Sequence, residues 1–496
     1  MHFIDWIVLA IYFTLLIGVG VWAYRRVKNS ADFFTAGGKL PWWLSGISHH
    51  VSGYSGAVFV AYAGIAYTHG LSIYLWWACG VAIATFFAAQ LIAPRWAMLR
   101  IKTGIQSPTE YLLNRYNLPT QQIIAWSGVI IKIFDVGAKW AAIAILLNVF
   151  AGTSLLTGIL LAGSVSLIYS VLGGLWADVV NDFAQFMVQL VAGITMFFIV
   201  LFKLGDGAAG FFTMWDRLPE SHAAIFNEPY TWQFFIAIMI IDFFSYSGGT
   251  WHLATRFIAS SSGRVAKKAA LLSSALYLVW PVFLFFPMFA APIFLPDLAE
   301  PTHAYALLAL KFLPAGIIGL VMASLFTNTL SMTSSDANTI SAVITRDILP
   351  RFINGYADYN RKKILLYARI ATFSFTTLTI VIAINADSFG GVFGLIVSWF
   401  AALLGPIAIP MILGLLPPFR RCGSVAAILS ILGGLAMFVI LKLIPDISLA
   451  LEVGAPLVTS LLLYIGTGLL NRKGASAKVN DLVASLRSLP AKGSKM

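Results

Sequence analysis

The sequence predicts an all-α polytopic membrane protein of about thirteen spans, and three observations predict it. Of 496 residues, 59% are hydrophobic and only 10% are charged, where soluble domains carry about 25%. Apolar runs of the ~20 residues that a helix needs to cross ~30 Å of hydrocarbon recur along the whole length. Ten-residue alternating segments are too few for a β-barrel, so backbone polar groups have to be satisfied within helices. The third observation is an alternation of charge between successive connecting segments, which the positive-inside rule converts into a topology.

Taken in order, the spans fall near 4–23, 41–68, 72–97, 121–150, 153–172, 178–204, 231–256, 268–295, 303–345, 363–386, 390–416, 423–443 and 448–471. The first, within "MHFIDWIVLAIYFTLLIGVGVWAYRR", has no basic leading region and no small-residue cleavage site, so it reads as a retained span and not as a secretion signal. Segments 41–68 and 303–345 are too long for one straight crossing and must contain breaks or interfacial turns. The segments after spans 1, 3, 7, 9 and 11 carry Arg25, Arg26 and Lys28; Arg95, Arg100 and Lys102; Arg264, Lys267 and Lys268; Arg346, Arg351, Arg361, Lys362 and Lys363; and Arg420 and Arg421, and the tail adds Arg472, Lys473 and Lys478. The opposite side carries Asp206, Asp216, Glu220, Glu228, Asp297, Glu300 and Asp387 with few cations. This puts the N-terminus outside, the C-terminus inside, and makes the span count odd.

Several function classes drop out. The formal charge of +12 belongs to cytoplasmic loops and lipid contact, not to a nucleic-acid surface. Cys79 and Cys422 lie in or beside apolar spans and offer neither a disulfide framework nor metal-ligand spacing. No phosphate-binding loop is present, and no acid/base pair sits where an aqueous cleft is expected, so the chain is not expected to be an enzyme. The basic stretch from residue 473 on reads as a solvated tail that touches anionic lipid.

The polar groups inside the apolar spans are the informative residues. In "FTNTLSMTSSDAN", Ser331, Ser334, Ser335 and Asn338 fall at i, i+3, i+4 and i+7 and share one helix face. A row of hydroxyl oxygens suits a hard monovalent cation; serines that bond back to the i−4 carbonyl or glue helices together are the bland alternative. Gly46, Gly53 and Gly56 interrupt span 2, and Gly248 and Gly249 interrupt span 7. Two broken spans five apart are what an inverted repeat of five helices gives, and broken helices are where transporters expose carbonyls to ions and helix termini to solutes. Packing glycines are the alternative for either segment alone. Span 4 carries Lys132, Asp135 and Lys139 at i, i+3 and i+7, which can neutralise one another along one face. Asp182 lies near the cytoplasmic start of span 6, and Asp242 reads as interfacial. His49, His50 and His252 are either hydrogen-bonding groups of a ligand site or satisfied packing residues.

Four segments in chain order then carry a resemblance: "SADFFTAGGKLPWW", "SPTEYLLNRYN", "GGLWADVVNDFAQ" and "SSDANTISAVITRDIL". Together they resemble the sodium/solute symporters, which include sodium–glucose, sodium–proline and sialic acid transporters. The resemblance implies a leucine-transporter-like fold of two inverted five-helix repeats. Residues 1–472 would form a single transmembrane domain: an extra first span at 4–23, repeat one at 41–204, repeat two at 231–416, and extra spans at 423–471. Residues 473–496 would be the cytoplasmic tail. It further implies sodium-coupled symport of a small polar solute by alternating access, in a multi-pass protein of a bacterial inner membrane that functions as a monomer.

Carried over position by position, one sodium site falls on backbone oxygens of Val51, Tyr54 and Asn328, the hydroxyl of Ser331, and Met332. The last is a departure, because a thioether is a poor ligand for a hard cation. A second site falls on Asp182, Ser331, Ser334 and Ser335, all retained. Asp336 is the alternative proton-linked group. Ser55, Trp77, Asp135, Thr250, Trp251 and His252 fall where relatives line the solute cavity. Aromatic, hydroxyl and imidazole groups suit a sugar or polyol; the same aromatics with Asp135 suit an organic cation. Ser398, in place of a glutamine of sugar-transporting relatives, weighs against the sugar, and Asp135 weighs against an acidic one.

Overall fold

The computed structural model describes residues 1–472 and 474–486 of the chain; Lys473 and residues 487–496, part of the expected tail, lie outside them. Among the described residues the regular structure is helical. Eight helices are long and apolar enough to cross a membrane, or up to ten when two bent pairs count as one span each. One of those pairs is Leu118–Ala151 with the helix that starts at Leu155, which correspond to expected spans 4 and 5; expected spans 2 and 11 are helical but interrupted.

The interruptions have local causes. The 41–68 segment splits into helices Trp42–Val51 and Ala63–His69, with residues 52–55 unwound between them and a wide turn at Val58–Tyr62. Span 7 splits into Trp232–Phe244 and His252–Ile258, bent by 52°. Gly248 at φ 112° makes that bend, and Trp251 follows at φ 69°, a backbone region that costs a non-glycine residue strain. The expected loop between spans 5 and 6 is shorter than the sequence suggests: Leu155–Lys203 turns at one residue, Gly174, with φ 56° and ψ −162°. Only glycine adopts that conformation readily. A Cβ there would also come within 2.7 Å of the Phe33 carbonyl. Span 3 ends at Leu91, because Pro94 cannot continue the helix and instead opens Ala93–Thr103. Helix 303–345 breaks at Gly316, φ 89°, before Ile317–Val343.

Helix starts follow capping chemistry. Asn117, Ser262 and Asn360 accept hydrogen bonds from Thr120, Val265 and Lys363 amides at the heads of Leu118–Ala151, Gly263–Phe294 and Arg361–Ile384. Ile317–Val343 has no side-chain cap of its own. Asp5, from the first helix Phe3–Arg26, accepts instead from the amides of Gly316 (2.6 Å) and Gly319 (2.9 Å).

Burial ranks the helices. Within its span window, 89% of the helix that carries the serine row is buried, against 22% of the first helix. The serine-bearing helix is therefore central and packs along Leu155–Lys203, while the first helix lies against both of them from outside. Ser424–Lys442 and Leu449–Leu470 pack chiefly on each other. The tail departs from its expected solvated state: Ser476 caps a helix over Ala477–Ser485 that buries Val483 and packs on Leu112–Arg115.

Candidate functional site

The two broken helices face one another near the centre of the molecule. His49 Nε2 lies 3.2 Å from the Tyr246 carbonyl and its Nδ1 2.7 Å from Ser273 Oγ. His252 Nε2 lies 3.1 Å from the Ser52 carbonyl. Each histidine thus joins one break to the other. Tyr277 donates to the His50 carbonyl at 2.8 Å, and the Gly56 amide donates to Thr329 Oγ1 at 2.9 Å, which ties the first break to the serine-bearing helix. His50 itself is enclosed by Tyr54, Phe186 and Tyr277.

Beside these breaks lies a buried cluster of carboxylates and hydroxyls. Asp182 accepts from Ser48 and Ser331. Ser334 donates to Asp178 Oδ1 at 2.5 Å, and Ser335 to Asp178 Oδ2 at 3.2 Å. Arg256 enters from the second half of span 7: its Nη2 is 3.3 Å from Asp182 Oδ2, 3.0 Å from Ser52 Oγ and 2.6 Å from Ser335 Oγ, and its Nε donates to Ser48 Oγ at 3.0 Å. All of these side chains are buried. With both carboxyls ionised, two carboxylates and one guanidinium would leave the cluster one net negative charge. Such a charge away from water is costly unless a cation joins it.

The four residues of the second expected sodium site, Asp182, Ser331, Ser334 and Ser335, are therefore brought together. Val51 ends the first half-helix and Tyr54 lies within the unwound 52–55 stretch, where the Tyr54 amide donates to the Val51 carbonyl at 3.0 Å. Asn328 faces Gln185 through its side chain. Met332 is one of the residues that line the central cavity, as are Ser52, Gly53 and Ser55.

That cavity is lined by Ser55, Trp77, Asp135, Thr250 and His252 among the expected solute residues, and by Tyr62, Tyr246, Ser245 and Lys139 among residues not singled out for it. Trp251 is not in the wall. It is fully buried, with its ring against Gly128, where a Cβ would overlap it. The side chain of Ser398 lies outside those described.

Asp135 is not a free counter-charge. Lys132 and Lys139 hold it at 2.7 and 2.9 Å, and the same two ammonium groups hold Asp336 at 2.6 Å each. His252 Nδ1 adds a contact of 2.8 Å to Asp336 Oδ1. The i, i+3, i+7 pairing along span 4 is present, but Asp336 from a distant helix completes it. Two cations and two carboxylates balance, which is how charges persist in such a setting. Asp336 is thereby engaged from three sides. Sequence reasoning also missed Asp178 and Arg256. Asp178 stands one turn before Asp182 in the same quoted motif, a signal that was readable; Arg256 gave none without the bend that swings it inward.

Comparison with known proteins fits this geometry. The model of the sodium:solute symporter family matches residues 33–434. A sodium/glucose cotransporter of Vibrio parahaemolyticus is 27% identical over 482 residues, covering 90% of this chain and 86% of its own. A sodium/sialic acid symporter of Aliivibrio fischeri is 26% identical, covering 70% of each chain. Among solved structures, a Na+-coupled sialic acid symporter in a substrate-bound outward-open state superposes with a TM-score of 0.81 at 20% identity, over 95% of this chain and 98% of the other. A nucleobase-cation-symport-1 family transporter in a closed conformation gives 0.58 at 14% identity, over 92% and 99%. At these identities the structures establish a shared fold.

Proposed function

The chain belongs to the sodium:solute symporter family, a family of sodium-coupled transporters and not of enzymes, and from that premise we propose that it is a sodium-coupled symporter of a small polar organic solute. One observation carries the coupling ion: the carboxyl groups of Asp178 and Asp182 converge with the hydroxyls of Ser48, Ser331, Ser334 and Ser335 around the single guanidinium of Arg256, which would leave a negative charge for a cation when both carboxyls are ionised. That is the chemistry of a site for one hard monovalent cation. We assign sodium to Asp182, Ser331, Ser334 and Ser335, and assign a weaker site, short of one hydroxyl at Met332, to the oxygens of Val51, Tyr54, Asn328 and Ser331.

Sodium in this pocket would hold the first break against the serine-bearing helix and so complete the cavity above it. Ion and solute would then share a coupling free energy, reciprocal by linkage. Rocking of one bundle against the other would release both on the inner side. The solute faces hydroxyls of Ser55 and Thr250, the imidazole of His252, and the rings of Trp77 and Tyr246, an arrangement that favours a hydroxylated compound of sugar or polyol type. The proposal includes thirteen spans, an external N-terminus and internal C-terminus, residence in a bacterial inner membrane, and function as a monomer in contact with lipid. Proton coupling through Asp336 is the second reading, favoured by Met332.

The test is the melting temperature of the purified protein in sodium and in potassium at equal ionic strength and two pH values, across sugars, polyols, amino acids, carboxylates and amines. A ligand of the native state raises it by mass action. Sodium is expected to raise it, and one compound class to raise it further only with sodium present. A ligand response set by pH and indifferent to sodium transfers the coupling to the proton.

A further inference from the structure

Arg256 sits in the cation cluster, yet a guanidinium offers only donors and cannot ligate a cation. Its contacts say what else it does. The side chain is 0% exposed, on the second half of span 7, His252–Ile258. All three of its nitrogens are engaged. Nε donates to Ser48 Oγ at 3.0 Å, and Nη1 to Thr255 Oγ1 at 3.2 Å. Nη2 alone reaches three elements: Ser335 Oγ of the serine-bearing helix at 2.6 Å, Ser52 Oγ of the unwound stretch at 3.0 Å, and Asp182 Oδ2 of span 6 at 3.3 Å.

Two of those three acceptors, Asp182 and Ser335, are oxygens assigned above to sodium. A hydroxyl has one proton to give and lone pairs to offer. Ser335 gives its proton to Asp178 Oδ2 at 3.2 Å and accepts from Nη2. Ser48 likewise donates to Asp182 and accepts from Nε. The guanidinium thus consumes the lone pairs of the cluster, which a bare cation needs as well, and two like charges on the same oxygens repel.

The hold is of an exchangeable kind. A guanidinium committed to a carboxylate takes it with two parallel N–H bonds. Arg256 meets Asp182 through one nitrogen and Asp178 only by way of Ser335. Nη2 has two protons for three acceptors, so at least one bond is shared, and the longest, to Asp182, is the most easily given up. Ser52 also lines the central cavity, as does His252, whose Nε2 lies 3.1 Å from the Ser52 carbonyl. One nitrogen therefore links the cation cluster to the cavity wall.

We propose that Arg256 is a tethered cation that competes with sodium for Asp182 and Ser335. Nη2 turns from both oxygens as sodium takes them, letting go of Ser52 in the cavity wall, and returns when sodium departs. This deepens the symporter reading and rests on its cation site. Arg256 is in that role a positioning residue that weakens sodium binding and so eases release, where a structural brace would strengthen it.

The experiment is a sodium titration of the melting temperature of the full-length purified protein, with potassium making up the ionic strength, in alkaline buffer so that protons do not replace the lost charge. Arg256→Gln is expected to lower the midpoint sodium concentration tenfold or more, about 1.4 kcal/mol. Arg256→Lys, which keeps the rival charge, is expected to lie nearer to the wild type. If Arg256→Gln is unfolded in potassium, saturating sodium should recover it, since the ion takes the place of the guanidinium. An unchanged or raised midpoint in Arg256→Gln, equal midpoints in the two variants, or an Arg256→Gln chain unfolded in sodium as well overturns the proposal. A wild-type protein without a sodium response overturns the symporter reading instead, and the two failures are read separately.

Discussion

Asp182→Asn isolates the charge that the proposed sodium site would offer. In the native cluster Asp182 pairs with Arg256, and Asp178 joins through Ser334 and Ser335, so two carboxyls share one guanidinium. The substitution leaves one carboxylate against one guanidinium, so the attraction for a further cation loses a full charge. Two unit charges ~4 Å apart interact by ~4 kcal/mol at an effective dielectric constant of ~20. The amide oxygen still offers a dipole to the ion, and relaxation returns part of the rest, so we expect a net loss of about 2 kcal/mol, or roughly 30-fold in sodium affinity. The fold should survive, because the amide oxygen can still accept from Ser48 and Arg256 where Asp182 Oδ2 does, and the Ser331 hydroxyl can rotate to accept from the amide NH2. The assay is a sodium titration of the melting temperature with potassium making up the ionic strength. A midpoint in Asp182→Asn equal to that of the wild type refutes the charge argument.

Three further outcomes follow from the same structure. Lys139→Met strands Asp135 and Asp336 on a single lysine; it should destabilise by about 3 kcal/mol or more, and adding Asp135→Leu should recover part of the melting temperature. Gly128→Ala places a methyl into the Trp251 ring and should cost about 1–3 kcal/mol in chemical denaturation, with Trp251→Phe in the same chain relieving part of it. Asp5→Asn weakens the cap that the first helix lends to Ile317–Val343, lowering stability by about 1 kcal/mol without shifting the sodium midpoint.

The all-helical, many-spanned character was legible because an apolar run of fixed length is a local property, and so were the breaks at Gly53 and Gly248, where glycine marks a helix about to fail. The turn at Gly174 was read as a longer loop, since nothing in "GGLW" says that one residue in a glycine-only conformation reverses the chain. The serine row was legible by its period; the Arg256 that completes its pocket was not, because its place depends on the 52° bend of span 7. Likewise Lys132 and Lys139 announced their pairing with Asp135, but Asp336 lies 204 and 197 residues away from them and joins only through helix packing. Asp242 was misplaced for the opposite reason. Its position near a span end looked interfacial, and only the packing of the helices around it shows the burial. The Ala477–Ser485 helix was hidden by the polar, basic composition around it.

The account's central claim, coupling of a solute to sodium, is tested most directly by flux. Protein reconstituted in sealed vesicles would be given the solute identified by the melting-temperature screen, and influx of labelled sodium counted with and without it at fixed pH and membrane potential. The account predicts sodium influx that appears only with solute and falls in Asp182→Asn. Solute accumulation driven by a pH gradient, with no accompanying sodium movement, would contradict it.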